Sequence, residues 1–428
     1  MASFFIPLTG LQADSTALNT IANDLSNMNT TAFKAQTTNF SNLFFQQIGE
    51  TGSGNLIQVG AGTQVASNST DFLQGSYNTS GMSSSDMAID GNGFFIVKDS
   101  DGATAYTRDG SFSQDTSGNL VTANGSMLMG YPAVNGVVNT SAPLTAISVP
   151  LMGQVQLPAA TQNFSMTANL DSESTSAFPA TVSVYDSLGA AHNVTVTYTE
   201  TAPGTWTYSA QLPASDYASG VSTPITGTLN FDQNGNLISV AQGAGAAQNV
   251  GTAAGDISSI PLDFNLNGPL ADGANTLNLN WNLLGSGGTP NISQVDEASA
   301  VSGTTADGNG AGTCTGFTIG ADGTVTAQYT SGTQVVGQIA LASMTNLQGL
   351  NLEADGEYQT TLASGTASVG AAGSGGLGGI QDSALEDSNV NISSEFSDLI
   401  IAQRGFEADS KAVTTFDTVA QDTINMVH

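Results

Sequence analysis

The side chains able to do chemistry are few and scattered. There are two histidines, His192 and His428, so general-base catalysis near neutral pH has almost nothing to draw on. No G-x-S-x-G elbow occurs, and no glycine precedes any of the three lysines as a Walker loop requires. The run GSGGLG, Gly373 to Gly378, has the spacing of a dinucleotide loop, but no strand precedes it and no βαβ frame surrounds it, so it reads as a linker. Asp232, Asn234 and Asn236 in DQNGN alternate like the first half of a calcium loop. A strand continues where the closing glutamate belongs, which favours a hairpin turn. Other carboxylates cluster at turns, at Asp99, Asp101, Asp109 and Asp115. Paired acids for glycoside chemistry remain open, although little Trp, His or Arg is present to line a sugar cleft. Cys314 stands alone, forms no intrachain disulfide, and reads as a small apolar residue in or near a strand. No catalytic, metal or cofactor site is expected.

The elements around these residues must therefore carry the function. The chain has 428 residues, with Lys plus Arg 5 against Asp plus Glu 35 and a formal charge of -30. No Lys or Arg occurs between Asp109 and Gln403. Such a surface repels nucleic acid and anionic lipid. Length allows two to four domains at ~100–200 residues each. Charged residues are only 9%, and Gly, Ser, Thr, Asn and Ala take their surface role, as suits short strands and turns. No apolar run approaches the ~18–20 residues of a bilayer span. The N-terminus does not read as a cleavable signal, because its first basic residue is Lys34 and Pro7 and Gly10 interrupt the opening apolar cluster.

Both ends are patterned as helices. Leu11, Leu18 and Leu25 step by seven, as do Ile21 and Met28, which makes an a/d seam. Thr9 with Gln12 matches a capping box at the helix start. Near the other end Leu399, Phe406, Val413, Ala420 and Val427 step by seven, with Ala402, Phe416 and Thr423 three further on. Each stripe needs a partner, and the simplest is the other stripe. The alternative is that both are ordinary amphipathic helices on a globular core. Between them the period falls to two: Gly91 to Val121, Ala180 to Glu200, Leu229 to Ala241 and Gly316 to Gly332 read as strands and hairpins. Strand-poor stretches at 142–158 and 286–313 bracket an inserted β domain, and the Gly/Ala/Ser run 364–379 reads as flexible or extended.

Three blocks then carry a resemblance. TGLQADSTALNTIANDLSNMNTTAFKAQ (Thr9 to Gln36), the segment from GNGFFIV to SMLMGY (Gly91 to Tyr131) and ALEDSNVNISSEFSDLIIAQRGFEADSKAVTTFD (Ala384 to Asp417) resemble, in order, the signatures of the bacterial flagellar axial proteins, the rod and hook family. Thr167 to Tyr208 and Gly323 to Leu350 are similar to the outer domain of hook proteins and its return, so the chain resembles the flagellar hook proteins within that family. Ala32 stands where that family usually has Gly, and Phe406 and Asp409 replace Tyr and Asn.

The resemblance implies an α+β, mainly β fold: discontinuous β domains threaded on an N- plus C-terminal α-helical coiled-coil domain. The expected division pairs 1–32 with 385–428 as the helical domain, 33–75 with 351–384 as an extended linker region and 76–148 with 310–350 as an inner β domain, with 149–309 as the inserted outer domain. It implies a non-enzymatic subunit that is exported without a cleaved signal by the flagellar export apparatus. Outside the cell that subunit polymerises with itself into a curved tube, meeting rod, hook cap and hook-filament junction proteins, with no nucleic acid and no membrane insertion. The helix seams are the expected assembly surface, with Arg404 and Lys411 in ion pairs to Asp14 or Asp24 or to a neighbour. A distal rod protein is the alternative, and a secreted β-rich enzyme the distant one.

Overall fold

A computed structural model of the chain describes residues 5–50, 56–134, 136–174, 176–285 and 287–426. It is mainly β, with one long helix near each end: α1, Phe5–Ser26, and α2, Ile392–Met426. The capping box expected at Thr9 is not the start of α1. The chain is already helical at Phe5, the first described residue, a turn before Thr9. Thr9 instead donates to the Ile6 carbonyl and accepts from the Thr63 amide at 3.3 Å. At the start of α2, Asn391 Oδ1 accepts from the Ser393 amide at 3.0 Å, a side-chain cap.

After α1 the chain doubles back as strand Gln36–Asn42, which pairs antiparallel with Thr63–Thr70. A second hairpin pairs Phe45–Glu50 with Leu56–Gly60. The expected linker 33–75 is thus largely a β ribbon lying along α1.

The inner domain is one large sheet around the strand Gly332–Ser343, which pairs with Thr324–Tyr329, Met127–Val134, Phe94–Lys98 and Ser368–Ala371. It is buried on both faces. Phe95, Val97, Ile339 and Leu341 enter one core, and the alternate residues Phe94, Ile96, Ala340 and Ala342 enter the opposite one, as the two-residue period of a strand requires. Residues 351–384, expected as linker, are woven into this domain. Glu357–Gln359 pairs with Thr104–Thr107, and Gly379–Asp382 pairs with Met87–Asp90. Strands of two to four residues are too short to show a period in a Gly/Ala/Ser run, and their partners lie far away in sequence. GSGGLG is the turn between two of them: the Gly378 amide donates to the Asn92 carbonyl at 2.7 Å, and a Cβ on Gly378 would stand 2.4 Å from the Asp90 carbonyl oxygen.

The outer domain is a sandwich. Its six-stranded antiparallel sheet runs Phe178–Tyr185, Ala191–Ala202, Thr205–Gln211, Ile225–Phe231, Leu237–Gln242 and Gln248–Asn249. The facing sheet centres on Asn163–Asp171, which runs parallel to Asn278–Asn282 and Ile292–Val295 and antiparallel to Ala300–Ala306. Trp206, Trp281, Tyr198, Tyr208 and Phe164 fill the space between; Tyr208 meets Trp281 edge to face at 5.4 Å. Aromatic pairs in that geometry add to burial. DQNGN is a hairpin turn, in which Asp232 Oδ1 accepts from the amides of Asn234 and Asn236. Cys314 is buried in strand Gly312–Ile319.

Candidate assembly interface

The helices pair antiparallel. A Cβ on Gly10 would fall 1.9 Å from Asp409 Oδ2, and a Cβ on Gly405 would fall 2.6 Å from Asp14 Oδ2, so each helix offers a glycine to the other's aspartate. The line that α1 buries is Pro7, Gly10, Ala13, Ala17, Thr20 and Asp24, stepping by three and four one residue beside the leucine stripe. Small side chains there let α2 and the β ribbon close on α1 from two sides. Thr38 Oγ1 bonds Thr20 Oγ1 at 3.0 Å, and the Gln36 amide donates to Asp24 Oδ2 at 2.8 Å.

The expected seam is therefore displaced. Leu11, Leu18, Ile21 and Leu25 flank the buried line and are half-buried, and Met28 is exposed in the turn past the helix. On α2, Leu399, Phe406 and Val413 are half-buried, while Phe416 and Ala420 are exposed. Val427 lies outside the described residues. The leucine stripe runs beside the buried line, one residue and so about 100° around the helix from it; the close approach is marked by glycine and alanine, which a search for apolar bulk passes over.

Neither expected intrachain ion pair forms. Arg404 bonds Glu407 at 2.8 Å on an exposed face, and Lys411 is exposed. Acids meet acids between the helices instead. Burial and then the charge of Asp409 push the Asp14 carboxyl up from its ordinary range, and burial followed by Asp24 and Asp398 pushes Glu395 up. Burial also raises Asp24, against the hydrogen bond from the Gln36 amide. Asp14, Glu395 and Asp398 line a groove of about 370 Å³ between α1, α2 and the ribbon, together with Ala17, Thr20, Thr38 and Gly405.

No residue of α2 is buried, although the helix is 35 residues long. By the register of Gly10 on Asp409, its last three turns run past Phe5, the first described residue of α1. Phe396, Ile400, Ile401, Val419, Ile424 and Met426 are 49%, 57%, 68%, 56%, 61% and 81% exposed. An apolar surface of this extent on a well-formed helix marks a contact site.

Beneath the helices lies a junction that sequence reasoning missed. Lys34 Nζ stands 2.5 Å from Glu386 Oε1, and Arg108 Nε stands 3.3 Å from Glu386 Oε2, an ionic contact without hydrogen-bond alignment. All three side chains are buried. Lys34 also donates to the Leu73 carbonyl, Arg108 to the carbonyls of Gly91 and Gly93, and the Gly75 amide to Glu386 Oε1. Two of the five cations in the chain thus converge on one glutamate, tying the segment after α1, the inner sheet and the segment before α2. The available signal was their rarity, which singles out Lys34 and Arg108 for specific partners.

Known proteins can now be set beside this architecture. The family model described as "Flagellar hook protein FlgE/F/G D1 domain" matches residues 88–169, "Flagellar basal body protein FlaE D2 domain" matches 154–309, and "Flagellar basal body rod FlgEFG protein C-terminal" matches 381–426. The flagellar hook protein FlgE of Escherichia coli (strain K12) is 32% identical over 441 residues, covering 99% of this chain and 100% of that protein. Its namesakes in Borreliella burgdorferi and Rhizobium meliloti are 31% and 33% identical, covering 100% and 98% of this chain and 99% and 97% of their own lengths. The crystal structure of Helicobacter pylori flagellar hook protein FlgE2, at 13% identity and a TM-score of 0.42 over 72% of this chain and 99% of that one, is a distant likeness only. With an inserted sandwich at the place of the D2 match and an end-to-end relative above 30% identity, the chain belongs to the flagellar hook protein family.

Proposed function

We propose that this protein is the structural subunit of the flagellar hook, a non-enzymatic protein that polymerises with itself into a curved, flexible tube joining rod to filament. The observation that carries the reading is α2, a 35-residue helix with no buried residue and large apolar side chains exposed in two stretches, at Phe396, Ile400 and Ile401 and at Val419, Ile424 and Met426. A helix of that length is stable only if its apolar face is covered. In a one-component polymer the cover is a neighbouring copy, and contacts of that head-to-tail kind do not close on themselves and so generate a helical assembly.

The sandwich supports the complementary role. Its strands turn Thr, Ser and Asn outward, as in Phe178–Tyr185, where buried and exposed residues alternate. Polar, hydrated contacts from such a surface exchange at low cost, which suits the outer part of a tube that bends. The working division is a helical part near 1–32 and 385–428, an inner β domain and an outer domain near 149–309. The helix seams named above serve as the assembly surface. We further infer export through the flagellar apparatus with the N-terminus retained, residence outside the cell, and end contacts with rod, hook cap and junction proteins. No helix of the described residues is long and apolar enough to cross a membrane.

The test is truncation after Asn389, with polymer formation followed by electron microscopy. The full chain should give curved tubes and the truncated chain none. Normal tubes from the truncated chain would remove α2 from the assembly role, and rigid straight polymers from the full chain would favour the distal rod reading.

A further inference from the structure

Far from the helices, the outer domain gathers three carboxylates around its one histidine. His192 lies on strand Ala191–Ala202, opposite Val184. Asp186 lies in the turn before it, Asp216 in the short helix Ala214–Asp216, and Asp272 in the loop after Leu270. Each carboxylate ties one oxygen to its own segment: Asp186 Oδ1 accepts from the amides of Leu188 and Ala190, Asp272 Oδ1 from the amide of Ala274, and Asp216 Oδ1 from Ser215 Oγ. Each aims the other oxygen at the imidazole. Asp216 Oδ2 is 2.9 Å from Nδ1, while Asp186 Oδ2 and Asp272 Oδ2 are 3.1 and 3.8 Å from Nε2.

This is the pattern of a metal-ligating histidine. One ring nitrogen is held by a carboxylate that fixes the tautomer, and the other turns toward further ligands. Nitrogen and oxygen ligands at ~2.0–2.2 Å from one ion stand roughly 3 to 3.5 Å apart, and one ligand atom from each of His192, Asp186 and Asp272 lies within 4.8 Å of the other two. His192 is 7% exposed and Asp186 is 0%, while the Asp272 side chain, at 32%, leaves the site open to solvent. Charge argues the same way. Three carboxylates outweigh the imidazole whatever its protonation, and no Lys or Arg occurs between residues 109 and 403 to balance them. With Asp186 fully buried and Asp216 and Asp272 only partly exposed, this excess of negative charge favours a cation.

We propose that His192 Nε2, Asp186 Oδ2 and Asp272 Oδ2 bind one divalent cation of the zinc class, with Asp216 as the residue that orients the ring and water completing the shell. The ion clamps the turn at 186 and the loop at 272 to the His192 ring, and through that ring to the segment at 216, edges of the sandwich that otherwise meet through bonds such as the Ala271 amide to the Asp216 carbonyl.

The test uses the full chain, free of any affinity tag and stripped with chelator, titrated with zinc chloride in a calorimeter and measured for bound metal after dialysis. The wild type should retain one zinc per chain. His192→Gln and Asp272→Asn should lose it, and Asp216→Asn should bind 10- to 100-fold more weakly. Asp272→Asn alters a side chain one-third exposed, and an unchanged circular dichroism spectrum shows that its loss of zinc is not a loss of fold. X-ray absorption at the zinc edge should show one nitrogen ligand among oxygens. The proposal is overturned if the wild type retains no zinc, which leaves a hydrogen-bonded imidazole clamp. It is equally overturned if Asp272→Asn and His192→Gln retain as much zinc as the wild type, which places the metal elsewhere.

Discussion

Lys34 Nζ and Glu386 Oε1, separated by 352 residues of chain, stand 2.5 Å apart with both side chains buried. The inner and outer β domains are both inserted between these two residues, and the two long helices lie outside them. The pair closes the inner domain beneath the helices, and Arg108 shares its glutamate.

Removing that glutamate strands two buried cations. Glu386→Ala should destabilise the inner domain by about 3–5 kcal/mol, the usual cost of uncoupling a buried charge. Lys34→Met should cost less, because Arg108 still neutralises Glu386. Urea unfolding followed by amide exchange in strand Phe94–Lys98 measures both, and an equal cost for the two variants would contradict the shared-glutamate arrangement.

Ala32 has φ 56° and is buried, with its amide donating to the Glu386 carbonyl at 2.8 Å. A left-handed backbone costs a residue with a Cβ about 1–2 kcal/mol, which accounts for glycine as the family's usual residue there. Ala32→Gly should stabilise the fold by ~0.5–1 kcal/mol, after the extra unfolded-chain entropy of glycine is subtracted. Equilibrium denaturation decides the sign.

The acids between the helices set a pH dependence. Asp14, Asp24 and Glu395 have carboxyl pKa values raised in the folded state, so the folded helix pair holds their protons more tightly than the unfolded chain does. Their contribution is most favourable at and below the ordinary carboxylate range, near 4, and is lost as pH rises through the raised values. Amide protection of α1 and α2 should therefore increase on mild acidification from neutral pH. Asp409→Asn, which removes the charge facing Asp14, should reduce that increase. Protection that falls monotonically from pH 7 would contradict the assignment.

Truncation after Thr414 removes the turns of α2 that extend past Phe5. None of those residues is buried in the monomer, and of them Phe416 lines a groove with Ile6 and Pro7, so the unfolding free energy should move by no more than about 1 kcal/mol. Polymerisation should nevertheless fail, as light scattering would show. A monomer that loses stability in proportion would mean that the overhang packs within its own subunit.

Much of the architecture is legible in the residues. Period-two segments at Ala180 to Glu200 and Leu229 to Ala241 identify the sandwich strands, because alternation is enforced wherever one face is buried and the other wet. The seven-residue steps of leucine and phenylalanine place α1 and α2 and orient their apolar faces. Charge and histidine scarcity direct attention from catalysis to assembly.

What pairing decides was not legible. Glu386 takes up Lys34 and Arg108 only when residues hundreds apart are brought into one core, and no local pattern encodes that distance. The true line of closest helix approach runs through Gly10, Ala13 and Ala17, since an interface selects for what fits between two backbones and not for bulk alone. The short strands at 351–384 exist because the inner sheet supplies their hydrogen-bond partners. The amino-acid sequence by itself determined the kinds of element, their order and the apolar faces they carry, all consequences of local periodicity. Only the tertiary structure decided which charges meet, which glycines are obligatory and which apolar face is left uncovered, because those depend on distances between segments that the chain order leaves free.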